Sequence, residues 1–161
     1  MNRTATRIPA GAGFWRFIAG LLPLVTLLAC SEPATDAEQE LREWVARGET
    51  AAEAKERREL ISMIAESYTD QRGYERDEIE NILRAYFFRQ NNISLLTSIE
   101  DIRVIGDSAA EIDLTVGMAG QNDGVLGFSA DAYNFELELV RDGDDWLLIA
   151  ARWGELGEEL H

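Results

Sequence analysis

The sequence predicts an α+β fold: a cone-like, curved antiparallel sheet of about four strands packed against about three N-terminal helices. Two observations carry this. Before Asn91 the apolar residues recur at three- and four-residue steps, and from Ile93 onward they recur at every second residue. Helices first and strands afterwards fit a two-layer domain with its helices on one side of a meander. The length agrees, because 131 of the 161 residues follow Cys30, enough to bury one core of ordinary size.

Thr35 and Glu38 have capping-box spacing and should open the first helix. Its apolar stripe (Leu41, Trp44, Val45, Ala51, Ala52) passes through Gly48. One helix to about Ala54 is therefore expected, at a cost of about 1 kcal/mol for the internal glycine. The alternative is a break there, with Thr50 and Glu53 opening a second helix. Leu60, Ile61, Ile64, Ala65 and Tyr68 predict a separate short helix after a bend near Lys55, interrupted by Gly73 and Tyr74. Asp77 is the expected cap of a third helix, whose core face would be Ile79, Ile82, Leu83, Tyr86 and Phe87.

Ile93 and Leu95 begin the first strand, and Ile102 and Val104 continue it, with Ile99 between them. After a turn at Gly106-Asp107, Ala110, Ile112, Leu114, Val116 and Met118 alternate with Glu111, Asp113, Thr115 and Gly117, the pattern of a half-buried strand. Tyr133, Phe135, Leu137 and Leu139 alternate with Asn134, Glu136 and Glu138 in the next, and Asp142-Gly143 marks a tight hairpin. The last strand is apolar in both phases, with Trp146, Leu148 and Ala150 opposite Leu147, Ile149 and Ala151, so both its faces should be covered. Residues 120–130 form a long Gly-, Asn- and Asp-rich connection.

The amino terminus reads differently. Arg3, Arg7 and Arg16 precede an apolar stretch over 17–29 that is too short to span a bilayer, and small residues end it. Leu27-Leu28-Ala29-Cys30 resembles the lipobox of bacterial lipoproteins. That resemblance implies a signal peptide over 1–29, cleavage before Cys30, acylation of its thiol (palmitate included) and a short lipidated tether over 30–35. A thiol is the strongest side-chain nucleophile for such a transfer, and two or more chains hold a protein stably on a membrane. In this class an aspartate after the cysteine marks inner-membrane retention, so Ser31 implies sorting to the outer membrane, facing the periplasm. An uncleaved anchor helix or an ordinary buried cysteine would be the other readings of Cys30.

Cys30 is the only cysteine and His161 the only histidine, so no disulfide framework, histidine triad or Cys/His metal site is expected. All 30 acidic residues follow Cys30, leaving 12 basic ones after it, a formal −18 for the processed chain. That sign argues against nucleic acid and anionic headgroups as partners. The Asp142-Gly143-Asp144-Asp145 run lacks the ligand spacing of a calcium loop and reads as a turn. No cofactor is implied.

The element order, ending in Gly143-Asp144-Asp145-Trp146 and Arg152-Trp153, resembles the nuclear transport factor 2-like superfamily over about 36–155, and the domain is expected to run over 36–161. That group shares a cone fold with ketosteroid isomerase and the SnoaL-like cyclases. Glu38-Gln39 with Leu41-Arg42, and Tyr86-Phe87-Phe88-Arg89, resemble uncharacterised bacterial lipoproteins of the same superfamily. The resemblance implies a pocket between helices and concave sheet, an aspartate base with a tyrosine or second acid in active members, and a sheet-to-sheet homodimer. The candidate residues are Tyr68, Tyr86, Tyr133, Asp113, Glu136 and Glu138. The three acids occupy the polar phase of their strands, which suits a solvated face or a pocket lining, and the tyrosines occupy apolar phases that suit a core. A non-catalytic domain that binds a small apolar ligand or an envelope protein is the expected function. A small SnoaL- or isomerase-like enzyme using a carboxylate and a tyrosine for proton transfer is the second reading. An inhibitor using its acidic surface against a basic partner is a third.

Overall fold

Thr35 opens the first helix as expected: its Oγ1 accepts the Glu38 N–H at 3.2 Å in a computed structural model. The structure describes residues 35–121, 128–158 and 160. The leader, Cys30, Ser31 and the tether up to residue 34 lie outside the described residues, as do 122–127 of the long connection. Among the described residues no helix is long and apolar enough to cross a membrane.

Helix α1 (Asp36–Glu53) runs unbroken through Gly48 and buries Leu41, Val45 and Ala51. It ends at Lys55, a non-glycine residue at φ 57°, whose ammonium reaches the Gln90 carbonyl at 2.6 Å. That bond ties the end of α1 to the C-cap of α3 (Arg76–Arg89). Between them α2 (Arg57–Ser62) is shorter than the periodicity predicts, and Tyr68 is not helical. The reason is competition for the backbone. From Met63 onward the chain runs beside the last strand: Leu148 N–H donates to the Met63 carbonyl, and Ala65, Thr69 and Gln71 donate to Leu148, Ile149 and Ala151. A sheet edge would otherwise stand unpaired there.

The cap of α3 is Glu75 rather than Asp77, with the Glu78 carboxylate accepting the Glu75 N–H at 3.0 Å. No residue of α3 is buried. Ile79 packs against the core, Leu83, Tyr86 and Phe87 are half-buried, and Ile82 is 47% exposed, so the expected five-residue core face is only partly used. Polar side chains hold the helix in place. Arg76 donates to the Ile61 and Ile64 carbonyls at 3.2 and 3.1 Å, and Arg57 pairs with Glu80. The side of α3 bearing Tyr86 and Phe87 is thereby left half-open.

Four antiparallel strands follow in sequence order: β1 (Asn92–Ile105), β2 (Ala109–Gln121), β3 (Phe128–Asp142) and β4 (Asp145–Glu155). With the three helices they make an α+β domain on a curved, unclosed sheet. Two register shifts set which side chains face the helices. Ile99 pairs with Leu114 and Asp101 with Asp113, so Glu100 is an extra residue and Ile93, Leu95, Ile99, Ile102 and Val104 share one face. Leu148 pairs with Leu139 and Ala150 with Glu138, so Ile149 is extra in β4. Trp146, Leu148, Ala151 and Trp153 therefore share a face, which corrects the simple alternation expected of this strand. The core lies between that face and the helices, built by Leu41, Val45, Tyr68, Ile112, Leu139 and Trp146 with their neighbours.

Candidate functional site

The sheet separates the candidate residues. Asp113, Glu136 and Glu138 lie on the face turned away from the helices, because their register neighbours Ile112, Leu137 and Leu139 face the core. Like charges oppose one another there, Asp113 against Glu136 and Glu111 against Glu138. Arginines offset them. Arg103 reaches Asp101 at 2.7 Å, Glu111 at 2.8 Å and Asp113 at 2.8 Å, which holds its guanidinium firmly protonated. Arg152 pairs with Glu136, and Glu138 is exposed.

The tyrosines lie on the helix side, in two places. Tyr68 is 4% exposed and belongs to the core. Burial first, and then the charge of Asp70, push its phenol well above the usual range. Tyr133 belongs instead to an aromatic group at the open end of the sheet. Its ring meets Phe135 at 6.4 Å and Trp153 edge-on at 6.1 Å, and Phe135 stacks on Trp153 at 6.5 Å. Tyr86 brings α3 to the same region. Burial and then Asp131 raise its phenol, and burial, Asp131 and Glu155 raise that of Tyr133 against a smaller lowering by Arg72.

Residues with no place in the sequence-based candidate set complete this mouth. Asp70 is 3% exposed, and its carboxylate accepts the Arg72 and Tyr74 N–H groups at 2.9 and 2.7 Å and the Trp153 indole N–H at 3.3 Å. The turn closes with Gly73 at φ 83°, a conformation few side chains tolerate. Arg72, at its tip, lays its guanidinium over Trp153 at 3.7 Å from the ring centroid. Asp131 stands in the inward phase of β3, two residues before Tyr133, and Glu155 is the cross-strand partner of Tyr133. The signals were readable: Asp-x-x-Gly at 70–73 is a turn pattern, and an acid in the apolar phase of a strand is out of place. Among the described residues no three metal-ligating side chains converge.

Away from these rings, a concavity of about 300 Å³ lies between α1 and the β3–β4 hairpin, lined by Glu40, Trp44, Arg47, Asp144 and Trp146 among others. Some of its polar groups are engaged internally, whereas the buried Trp44 indole N–H has no partner among the described residues. Glu40 accepts the Trp146 indole N–H at 3.0 Å and pairs with Arg141, whose guanidinium lies 4.7 Å from the Trp146 ring centroid.

No protein-family model matches the sequence, and no curated protein is significantly similar to it. The fold has clear structural relatives. A candidate scytalone dehydratase from Novosphingobium aromaticivorans superposes with a TM-score of 0.67 at 12% identity, over 73% of this chain and 82% of that one. A candidate dehydratase of the NTF2-like family from Streptomyces avermitilis gives 0.64 at 14%, over 76% and 98%. A ketosteroid isomerase-like protein from Erwinia carotovora gives 0.63 at 10%, over 78% and 100%. At such identities the likeness establishes the nuclear transport factor 2-like fold and leaves the chemistry open.

Proposed function

We propose that this chain is an outer-membrane lipoprotein, acylated at Cys30 and sorted by Ser31, whose domain binds a small apolar ligand without transforming it. The observation carrying the non-catalytic reading is that the sheet holds Asp113, Glu136 and Glu138 on the face opposite the one that bears Tyr68 and Tyr133. Asp113 and Glu136 are ion-paired on the far face, while Asp70 accepts three N–H donors. Those donors take three of the roughly four lone-pair sites of the carboxylate, and at 3% exposure Asp70 has little left to aim at a bound ligand. What the mouth offers is aromatic surface from Tyr86, Tyr133, Phe135 and Trp153, the material of a small-molecule site. Titrating the protein with benzyl alcohol, a neutral aromatic probe, while following the Trp153 signal tests binding; an unchanged signal at saturating probe removes it. Clickable palmitate tests the anchor: label retained by Cys30→Ala protein would sink it.

One observation favours the second reading, a small lyase or isomerase. Asp131 lies close enough to both Tyr86 and Tyr133 for its charge to act on them, which is a carboxylate and two phenols at one mouth. Several structural relatives carry the names of dehydratases and isomerases. On this reading Asp131, rather than Asp113, Glu136 or Glu138, is the base. Turnover of any carbonyl substrate that Asp131→Asn abolishes, with folding unchanged, would replace the non-catalytic reading.

A further inference from the structure

We infer that the aromatic mouth is a cation site, whose ligand is an amphipathic organic cation with an aromatic or aliphatic body and a quaternary ammonium or guanidinium head. The inference rests on the ligand-binding reading above and names its ligand class. The first support is a cation already seated there: the Arg72 guanidinium carbon lies over the Trp153 ring, 3.7 Å from its centroid, so the ring accepts this chemistry. The second is the charge set around the rings. The register puts Glu155 opposite Tyr133, and Asp131 two residues before Tyr133 on the same face. Neither carboxylate has an ion pair among the described residues, although the chain spends seven arginines on other acids. Two open carboxylates beside four aromatic rings favour a positive head group, and the formal charge of −15 adds a field of the same sign.

Arg72 then acts as a resident competitor. Its turn is anchored by the buried Asp70, but its side chain is exposed and has no ion pair among the described residues to leave behind. An incoming cation displaces the guanidinium from Trp153, and Arg72 rotates into solvent. The sign of the Arg72→Ala effect follows. Removing this competitor and its charge strengthens cation binding, whereas it would weaken binding of an anion that used Arg72 as a clamp.

The test uses full-length protein in detergent, labelled with fluorotryptophan, with the Trp153 resonance assigned through Trp153→Phe. Three probes are titrated: benzyltrimethylammonium, benzyl alcohol and phenylacetate. The inference expects benzyltrimethylammonium to bind at least about threefold more tightly than the other two, and Arg72→Ala to tighten it a further threefold to tenfold or so. Asp131→Asn combined with Glu155→Gln should weaken the cation about threefold or more while leaving benzyl alcohol unchanged. All three positions are exposed or half-exposed, and circular dichroism checks that each variant folds. Equal binding of the three probes overturns the cation inference and leaves the apolar site standing. Preference for phenylacetate, lost in Arg72→Ala, also overturns it. Binding of none of them removes the ligand-binding reading itself.

Discussion

Replacing Asp70 tests the mouth most directly, because one carboxylate holds both the turn that carries Arg72 and the indole on which Arg72 lies. The side chain is 3% exposed and accepts three N–H groups, two from the backbone and one from Trp153. Each hydrogen bond to a charged acceptor contributes about 1.5–3 kcal/mol, reduced where water can replace it. Asp70→Ala removes all three and should cost about 3 kcal/mol, because the donors on Arg72 and Tyr74 sit in an exposed turn and recover some solvation. Asp70→Asn keeps one carbonyl oxygen for the two backbone donors, the arrangement asparagine supports in turns. Its amide nitrogen then faces the Trp153 N–H, so one bond is lost and the cost should be about 1–2 kcal/mol. For a domain of this size each kcal/mol lowers the melting temperature by roughly 3–6 °C. Urea unfolding followed by far-ultraviolet circular dichroism gives the two free energies, and near-ultraviolet dichroism reports the setting of Trp153. Equal losses for the two variants, or a loss under about 0.5 kcal/mol for alanine, would refute the claim that this carboxylate organises the mouth.

Three further outcomes follow from the packing. Gly48→Ala should stabilise the domain by about 0.5–1 kcal/mol in urea unfolding, since α1 continues through this position and a new Cβ would meet Met63 Cε at 3.4 Å, an ordinary contact. Trp146→Phe should cost about 1–2 kcal/mol, losing the bond to Glu40 and the Arg141 stack, and a double-mutant cycle with Glu40→Gln should show coupling between the two. Tyr68, Tyr86 and Tyr133 all hold their phenol protons more tightly than the ordinary value of 10. Their stabilisation is thus complete below pH 10 and is lost as pH rises above it, because the unfolded chain releases those protons first. Tyrosinate absorbance should accordingly show part of the phenol signal appearing only on alkaline unfolding, and the whole signal titrating near 10 in the folded state would contradict this.

Periodicity was a good guide where one physical demand acted alone. The α1 stripe through Gly48 and the alternation of β2 are cases in which burial on one face sets the pattern, and both are realised. It failed where two demands competed. Tyr68 sits in a helical pattern, yet its segment pairs with the edge of β4, because unpaired strand groups outweigh helical propensity over so few residues. Ile82 fits the core stripe of α3, yet that helix is held largely by Arg57, Lys55 and Arg76, with Ile79 packed against the core and Ile82 left 47% exposed. The acids Asp113, Glu136 and Glu138 were legible as the polar phase of their strands, but which face held the helices was not. Asp131 was the opposite case: its phase was wrong for an acid, and only the fold shows that the wet end of the sheet lies there.

The extra residue at Ile149 explains why a mouth exists at all. In a regular strand the seven-residue step from Trp146 to Trp153 would leave one tryptophan inside and turn the other outward. The bulge reverses the phase once, so Trp146 seals the core beside Leu139 while Trp153 comes round to meet Phe135 and the Asp70 turn. It also sends Arg152 to the outer face, where Glu136 needs a counter-charge. The shift at Glu100 does the same for β1, returning Ile102 and Val104 to the face already occupied by Ile99. Two inserted residues thus divide the sheet into a charged outer surface balanced by arginines and an inner surface that passes from packed core to aromatic rim. Recognition on this scaffold depends on strand phase as much as on residue type: the same β4 sequence paired regularly, with Ile149 in the ladder instead of bulged out of it, would carry the aromatic ring outward and point an arginine at Phe135.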